Sequence, residues 1–132
     1  MTLVEAGPVP AVAGRAVWLP AFYVDVDPVS NERYSRFVAD TGHRAPPSWP
    51  DGACPSALLD EAVRTGRAAA EAYVGWAGKS LPTRAQWERA AGGDEGVSPA
   101  RGPEWRVGEV GGVDRPLRCV VAAPELLEVL AI

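Results

Sequence analysis

The stretch "WAGKSLPTRAQWERAAGG", residues 76–93, packs the end of one helix, a stop and the start of a second into eighteen residues. Thr83 and Gln86 have the spacing of a capping box. In that device the threonine oxygen accepts the amide hydrogen three residues on, and the glutamine reaches back to the cap. Pro82 bars continuation of the preceding helix, and Gly78 suits its C′ position. Trp87, Ala90 and Ala91 then form an apolar side that Gly92 and Gly93 terminate. Each feature has a structural explanation, so the stretch reads as scaffold rather than active site.

Upstream, "TLVEA" (2–6) reads as a short strand followed by a Pro/Ala/Gly loop. In "VWLPAFYVDVD" (17–27), Phe22, Val24 and Val26 alternate with Tyr23 and Asp25, which predicts a strand with one apolar face bracketed by Pro20 and Pro28. The period changes in "VSNERYSRFVADTG" (29–42). Ser30 caps, Val29 staples onto Tyr34, and Tyr34, Phe37 and Val38 fall at i, i+3, i+4 before Gly42 stops the helix. Residues 43–56 carry four prolines and form a loop anchored by Trp49, while 57–66 fits either a short helix or an irregular insertion. A second helix over 67–78 places Ala69, Ala72, Tyr73, Trp76 and Ala77 on one stripe. Downstream, "EWRVGEV" (104–110) and "PLRCVVAA" (116–123) read as strands joined by a "GGVDR" hairpin turn.

Bulk properties bound the function. The chain's 132 residues fit a single domain able to bury a core without staples. Thirteen basic against seventeen acidic residues, net −4 with no basic run, argue against nucleic acid, whose phosphates need a basic face. Neither a signal peptide nor a run of about 18 apolar residues is evident, so no membrane and a cytoplasmic location are expected. Cys54 and Cys119 match no zinc or thioredoxin spacing and are expected to be reduced thiols.

Three blocks resemble the formylglycine-generating enzyme family, the sulfatase-modifying factors. "FYVDVDPVSNERYSRFVADTG" is similar to the family's F-x-I-D strand, E-V-T-N turn and following helix, with Pro28 in place of the usual glutamate and Ser30 in place of threonine. "AYVGWAGKSLPTRAQWERAAGG" is close to the family's W-A-G-K-R-L-P-T-E-A-E-W-E core, and "PLRCVVAAP" resembles its terminal Gly-Phe-Arg-Cys strand. The resemblance implies an α+β fold over residues 1–132. Its form is a reduced C-type-lectin-like domain, with two or three helices packed on a small, mainly antiparallel sheet. Between the Trp helix and the last strand the family carries an E-W-T signature, calcium ligands, a Gly-Gly-Ser-Trp motif and, in oxidases, a pair of copper-binding cysteines. Here only residues 93 to 116 occupy that interval. Glu104 with Trp105 and Gly111 with Gly112 match fragments of it, and neither match is assigned a function.

The remaining chemistry is sparse. Cys54 and Cys119 do not fall at the family's catalytic positions, and one histidine, His43, cannot supply a two-histidine iron site. Asp25 and Asp27, two apart on a strand, could share a face as an acid/base or calcium pair, against a structural place for Asp25 beside the helix cap. Five tryptophans is a high count. Trp76 and Trp87 are expected in the core; Trp49 and Trp105 lie beside loops, and with Arg101, Glu104 and Arg106 they are the expected binding surface, against the alternative of core plugs. The apolar tail 124–132 either packs as a final element or, exposed, serves as a partner-binding segment. These observations predict a non-catalytic module that binds a protein partner or small ligand, with no cofactor, no metal and no catalytic residue. The alternative is a divergent metal-dependent oxidase of the same family, using Cys54 with Cys119 or completed by a partner chain. A variable display scaffold is a third, weaker reading.

Overall fold

In a computed structural model of the chain, the described residues are 1–10, 16–92, 97, 103–109 and 114–123. In chain order they form β1 (Thr2–Val4), β2 (Gly7–Pro10), β3 (Ala16–Leu19), β4 (Phe22–Val24), α1 (Asn31–Thr41), α2 (Arg67–Ala77), α3 (Arg84–Gly92) and β5 (Val120–Ala122). Short 3-10 turns occupy Pro50–Gly52 and Ser56–Leu58. The two-residue period of β4 turns Phe22 and Val24 inward and Tyr23 outward. β4 is the middle strand of an antiparallel sheet, ordered β1–β4–β5. The inward face, Val4, Phe22, Val24 and Val120, packs on Ala90 of α3.

A larger core gathers Val29, Tyr34, Phe37, Trp49, Val63, Tyr73, Leu81, Trp105, Leu117 and Cys119. Each helix begins and ends where its local chemistry predicts. The Ser30 hydroxyl accepts the Arg33 amide at 3.2 Å, and Gly42 closes α1 with φ 71°, a conformation that favours glycine. At α3 the capping box is present in both directions: Gln86 N–H to Thr83 Oγ1 at 3.1 Å and Thr83 N–H to Gln86 Oε1 at 2.9 Å. The α+β, C-type-lectin-like architecture expected from the sequence stands, with three helices and small antiparallel sheets.

Several local expectations are corrected. Residues 7–10 are not loop: β2 pairs antiparallel with β3, Pro8 opposite Trp18 and Pro10 opposite Ala16, an edge setting that tolerates proline's missing donor. Val26 is exposed instead of continuing the β4 face. For residues 57–66, which fit either a short helix or an irregular insertion, the irregular alternative holds: the 3-10 turn Ser56–Leu58 is followed by an irregular run held by Val63 N–H to Val29 O at 2.9 Å. The buried stripe of α2 is Ala70, Tyr73 and Val74, leaving Trp76 exposed, because Tyr73 turns toward α1 and contacts Tyr34 and Phe37 with ring centroids 5.7 and 5.6 Å apart. Residues 104–109 are not a strand. Trp105 N–H bonds the Pro116 carbonyl but Val107 N–H bonds that of Pro82, each at 2.9 Å, so the segment leaves its neighbour and turns against the start of α3. Residues 111–113 of the expected turn lie outside the described residues.

Candidate functional site

Where β4 ends, Asp25 turns inward instead of toward solvent. Its Oδ2 accepts the Cys119 amide at 2.9 Å and meets Arg33 Nη1 of α1 at 3.5 Å. Beside it, the buried Arg118 guanidinium donates from Nε to Glu104 Oε1 at 2.9 Å and from Nη1 to the Val26 carbonyl at 2.6 Å. Trp87 Nε1 donates to the same Glu104 oxygen at 3.1 Å. Two acids and two arginines thus neutralise one another across four separate segments, as buried charges require.

Asp25, Arg33 and Glu104 of this network line a cleft of about 830 Å³ that is also walled by Asp27, Ser30, Asp60, Glu61 and Arg64, with Met1 at its side. Asp60, Glu61 and Arg64 are exposed. The wall is therefore polar and two-signed, suited to a charged ligand or partner segment. None of Ser30, Asp60, Glu61 and Arg64 is an expected site residue from the sequence. They converge through the Ser30–Ala62 bridge and the Asn31 N–H to Glu61 O bond of 2.8 Å, contacts without a local sequence pattern.

The expected binding surface is corrected by burial. Trp49 is 5% and Trp105 0% exposed. Their indole N–H groups explain why: Trp49 Nε1 donates to Asn31 Oδ1 at 2.9 Å and Trp105 Nε1 to the Thr65 carbonyl at 2.7 Å. A buried tryptophan needs such a partner, and both rings are core. Glu104 is buried on Arg118; Arg106 is half-exposed, paired with Glu109 and lying 5.2 Å over the Trp87 ring. Arg101 lies outside the described residues. Trp87 is half-buried, whereas Trp76 is exposed with its Nε1 on Asp40 Oδ2 at 2.6 Å.

The metals that the fold family implies can be tested against these residues. Copper(I) takes thiolates. Burial raises the Cys54 thiol, which donates to the Pro55 carbonyl, and burial, then the Asp25 charge, push Cys119 up to about 12. Cys119 is fully buried in the core, so this thiol offers no solvent-open position to copper. His43 stacks on Phe37 at 5.0 Å with Nδ1 3.2 Å from the Arg44 carbonyl oxygen, alone of its kind, and does not fit the iron site. Asp25 is buried with its Oδ2 engaged by the Cys119 amide and Arg33, while Asp27 is exposed at the wall of the same cleft, so the two are not set as a matched calcium pair. Among the described residues no three His, Cys, Asp or Glu side chains form a metal-holding group.

The Sulfatase-modifying factor enzyme 1-like domain matches residues 1–116, and the chain belongs to that family. It is similar to uncharacterized protein YfmG of Bacillus subtilis, 36% identical over 104 residues, covering 65% of this chain and 20% of that protein. Hercynine oxygenase of Mycolicibacterium thermoresistibile is 29% identical over 118 residues, covering 69% of this chain and 26% of the oxygenase. Serine/threonine-protein kinase Pkn1 of Chlamydia trachomatis is 31% identical over 96 residues, covering 58% of this chain and 15% of the kinase. The chain thus spans 26% or less of the length of these relatives. Among the described residues no helix is long and apolar enough to cross a membrane.

Proposed function

We propose that this chain is a non-catalytic member of its family that binds a protein partner or small ligand at the cleft walled by Asp27, Ser30, Asp60, Glu61 and Arg64. The observation that carries this reading is where the reactive groups went. Cys119, Asp25, Glu104 and Arg118 are consumed in the scaffold. The ionisable groups left facing solvent in this cleft, Asp27, Asp60, Glu61 and Arg64, are binding groups of both signs. A cross-linked pull-down from the native host tests it, with metal content read in parallel. Cross-links are expected at the 60–64 rim and are expected to vanish in Asp60→Lys/Glu61→Lys and Arg64→Glu. Partner capture unchanged by these reversals would remove the cleft assignment.

A second reading has one observation in its favour, the similarity to hercynine oxygenase over 118 residues. On that reading the chain is a divergent metal-dependent oxidase whose site is completed by another chain. It predicts stoichiometric iron or copper and dioxygen uptake only in the presence of a partner, a result the binding reading does not produce.

A further inference from the structure

Of the seven large apolar side chains exposed among the described residues, four belong to β1, β4 and the positions flanking them: Met1, Leu3, Tyr23 and Val26, exposed by 48, 41, 38 and 37%. Leu3 pairs with Tyr23 across β1 and β4, and Tyr23 pairs with the partly exposed Val121 across β4 and β5, which makes an apolar row on the outward sheet face. The pairing of Thr2 with Val24 brings Met1 to the Asp25 end of the sheet, and Met1 and Val26 both line the cleft. The row therefore runs into the cleft. Residues 124–132, the expected partner-binding segment, lie outside the described residues.

The cleft itself carries charge. Its floor is balanced, since Asp25 pairs with Arg33 and Glu104 with Arg118. What stays exposed on the wall is Asp27, Asp60 and Glu61 against Arg64, and among the described residues none of these four is in an ion pair. Three carboxylates outweigh one guanidinium, so the wall draws a cationic occupant. A small-molecule site has the reverse layout, an apolar pocket holding a few polar groups. A charged cleft continuous with an exposed apolar row has the layout of a protein interface, an apolar patch beside a polar rim. We propose that cleft and row are one surface, and that its occupant is a segment of a partner protein with basic side chains for the wall of Asp27, Asp60 and Glu61 and apolar ones for Met1, Leu3 and Tyr23. The inference rests on the cleft as the binding site and narrows its ligand from protein or small molecule to a basic, apolar protein segment.

The probes are fluorescein-labelled peptides of equal length that alternate leucine with arginine, glycine with arginine, or leucine with glutamate, titrated with the full chain and read by fluorescence anisotropy. The leucine–arginine peptide is expected to bind severalfold more tightly than the other two. Leu3→Ser/Tyr23→Ser on the row and Asp60→Lys/Glu61→Lys on the wall are each expected to weaken it severalfold with the circular dichroism unchanged, and Tyr23→Ser alone serves if the double row variant unfolds. Weakening by the wall reversal alone assigns the cleft to a small cation or a plain basic tail, which overturns the shared surface and leaves the cleft standing. Weakening by the row variant alone, or by neither, overturns the shared surface and the cleft together. Equal binding of the leucine–arginine and glycine–arginine peptides, or binding of neither, also overturns the proposal.

Discussion

Arg118 Nε lies 2.9 Å from Glu104 Oε1 and 3.2 Å from Oε2, and both side chains are buried. The same guanidinium reaches the carbonyl oxygens of Val26 and Asp25, so one side chain ties the entry of β5 to the exit of β4 and to the segment carrying Trp105. Removing one partner of such a pair strands a charge in the interior. Arg118→Met is expected to cost about 3–5 kcal/mol by urea denaturation. Glu104→Leu/Arg118→Met is expected to recover part of that loss; a double variant no more stable than the single would show that the pair is not the coupled unit described.

Asn31 holds more of the fold than its place at the first turn of α1 suggests. Its Nδ2 donates to the carbonyls of Leu58 and Glu61 at 2.9 and 3.1 Å, while its Oδ1 accepts the Trp49 indole. Asn31→Ala leaves the Trp49 indole N–H without its partner, while the Leu58 and Glu61 carbonyls keep backbone donors, and is expected to cost about 1–3 kcal/mol, the cost of one orphaned buried group. Asn31→Asp keeps the acceptor and loses the donors, so Trp49 fluorescence should shift less in Asn31→Asp than in Asn31→Ala.

Gly7 sits under the Arg89 guanidinium, and a β-carbon there would fall on it. Arg89 donates to the Glu5 carbonyl from Nε and Nη2 at 3.1 and 2.9 Å, fastening the β2–β3 hairpin to α3. Gly7→Ala should push the arginine off these acceptors at about 1 kcal/mol, the net worth of such bonds. The double-mutant cycle with Arg89→Ala tests it: the two losses should not add.

Alkaline pH should weaken the fold in a defined window. Burial raises Cys119 from 9.0 to about 12 and Tyr34 from 10.0 to about 12. The unfolded chain releases these protons first, so the folded state binds more protons and stability falls as pH rises. The decline is expected from about pH 9 for Cys119 and from about pH 10 for Tyr34, near 1.4 kcal/mol per pH unit for each group. Urea midpoints between pH 8 and 11 measure it, and Cys119→Ala should flatten the first part of the curve.

What can be seen in the sequence is local. The Thr83–Gln86 box and the Ser30 and Gly42 caps join groups within four residues of one another, and each is present as expected. The β4 alternation and the family blocks are legible for the same reason. Trp49 and Trp105 are hard to place because loop composition says nothing of a distant acceptor: the Trp105 indole bonds to Thr65, 40 residues away. The cleft is hidden too, since 60–64 comes beside Ser30 only through backbone pairing. The α2 stripe keeps Tyr73 as expected but moves to Ala70 and Val74, because packing on Tyr34 and Phe37 centres the buried side on Tyr73 and leaves Trp76 exposed.

The bond from Cys119 to Asp25 joins positions 94 residues apart, and β4 gains its second neighbour only when β5 arrives. Closure over so long a loop must precede its reward, which makes such a sheet slow to assemble. During synthesis β4 waits with one edge unpaired until β5 has emerged. This is the interval in which the nascent chain is open to aggregation and to chaperones.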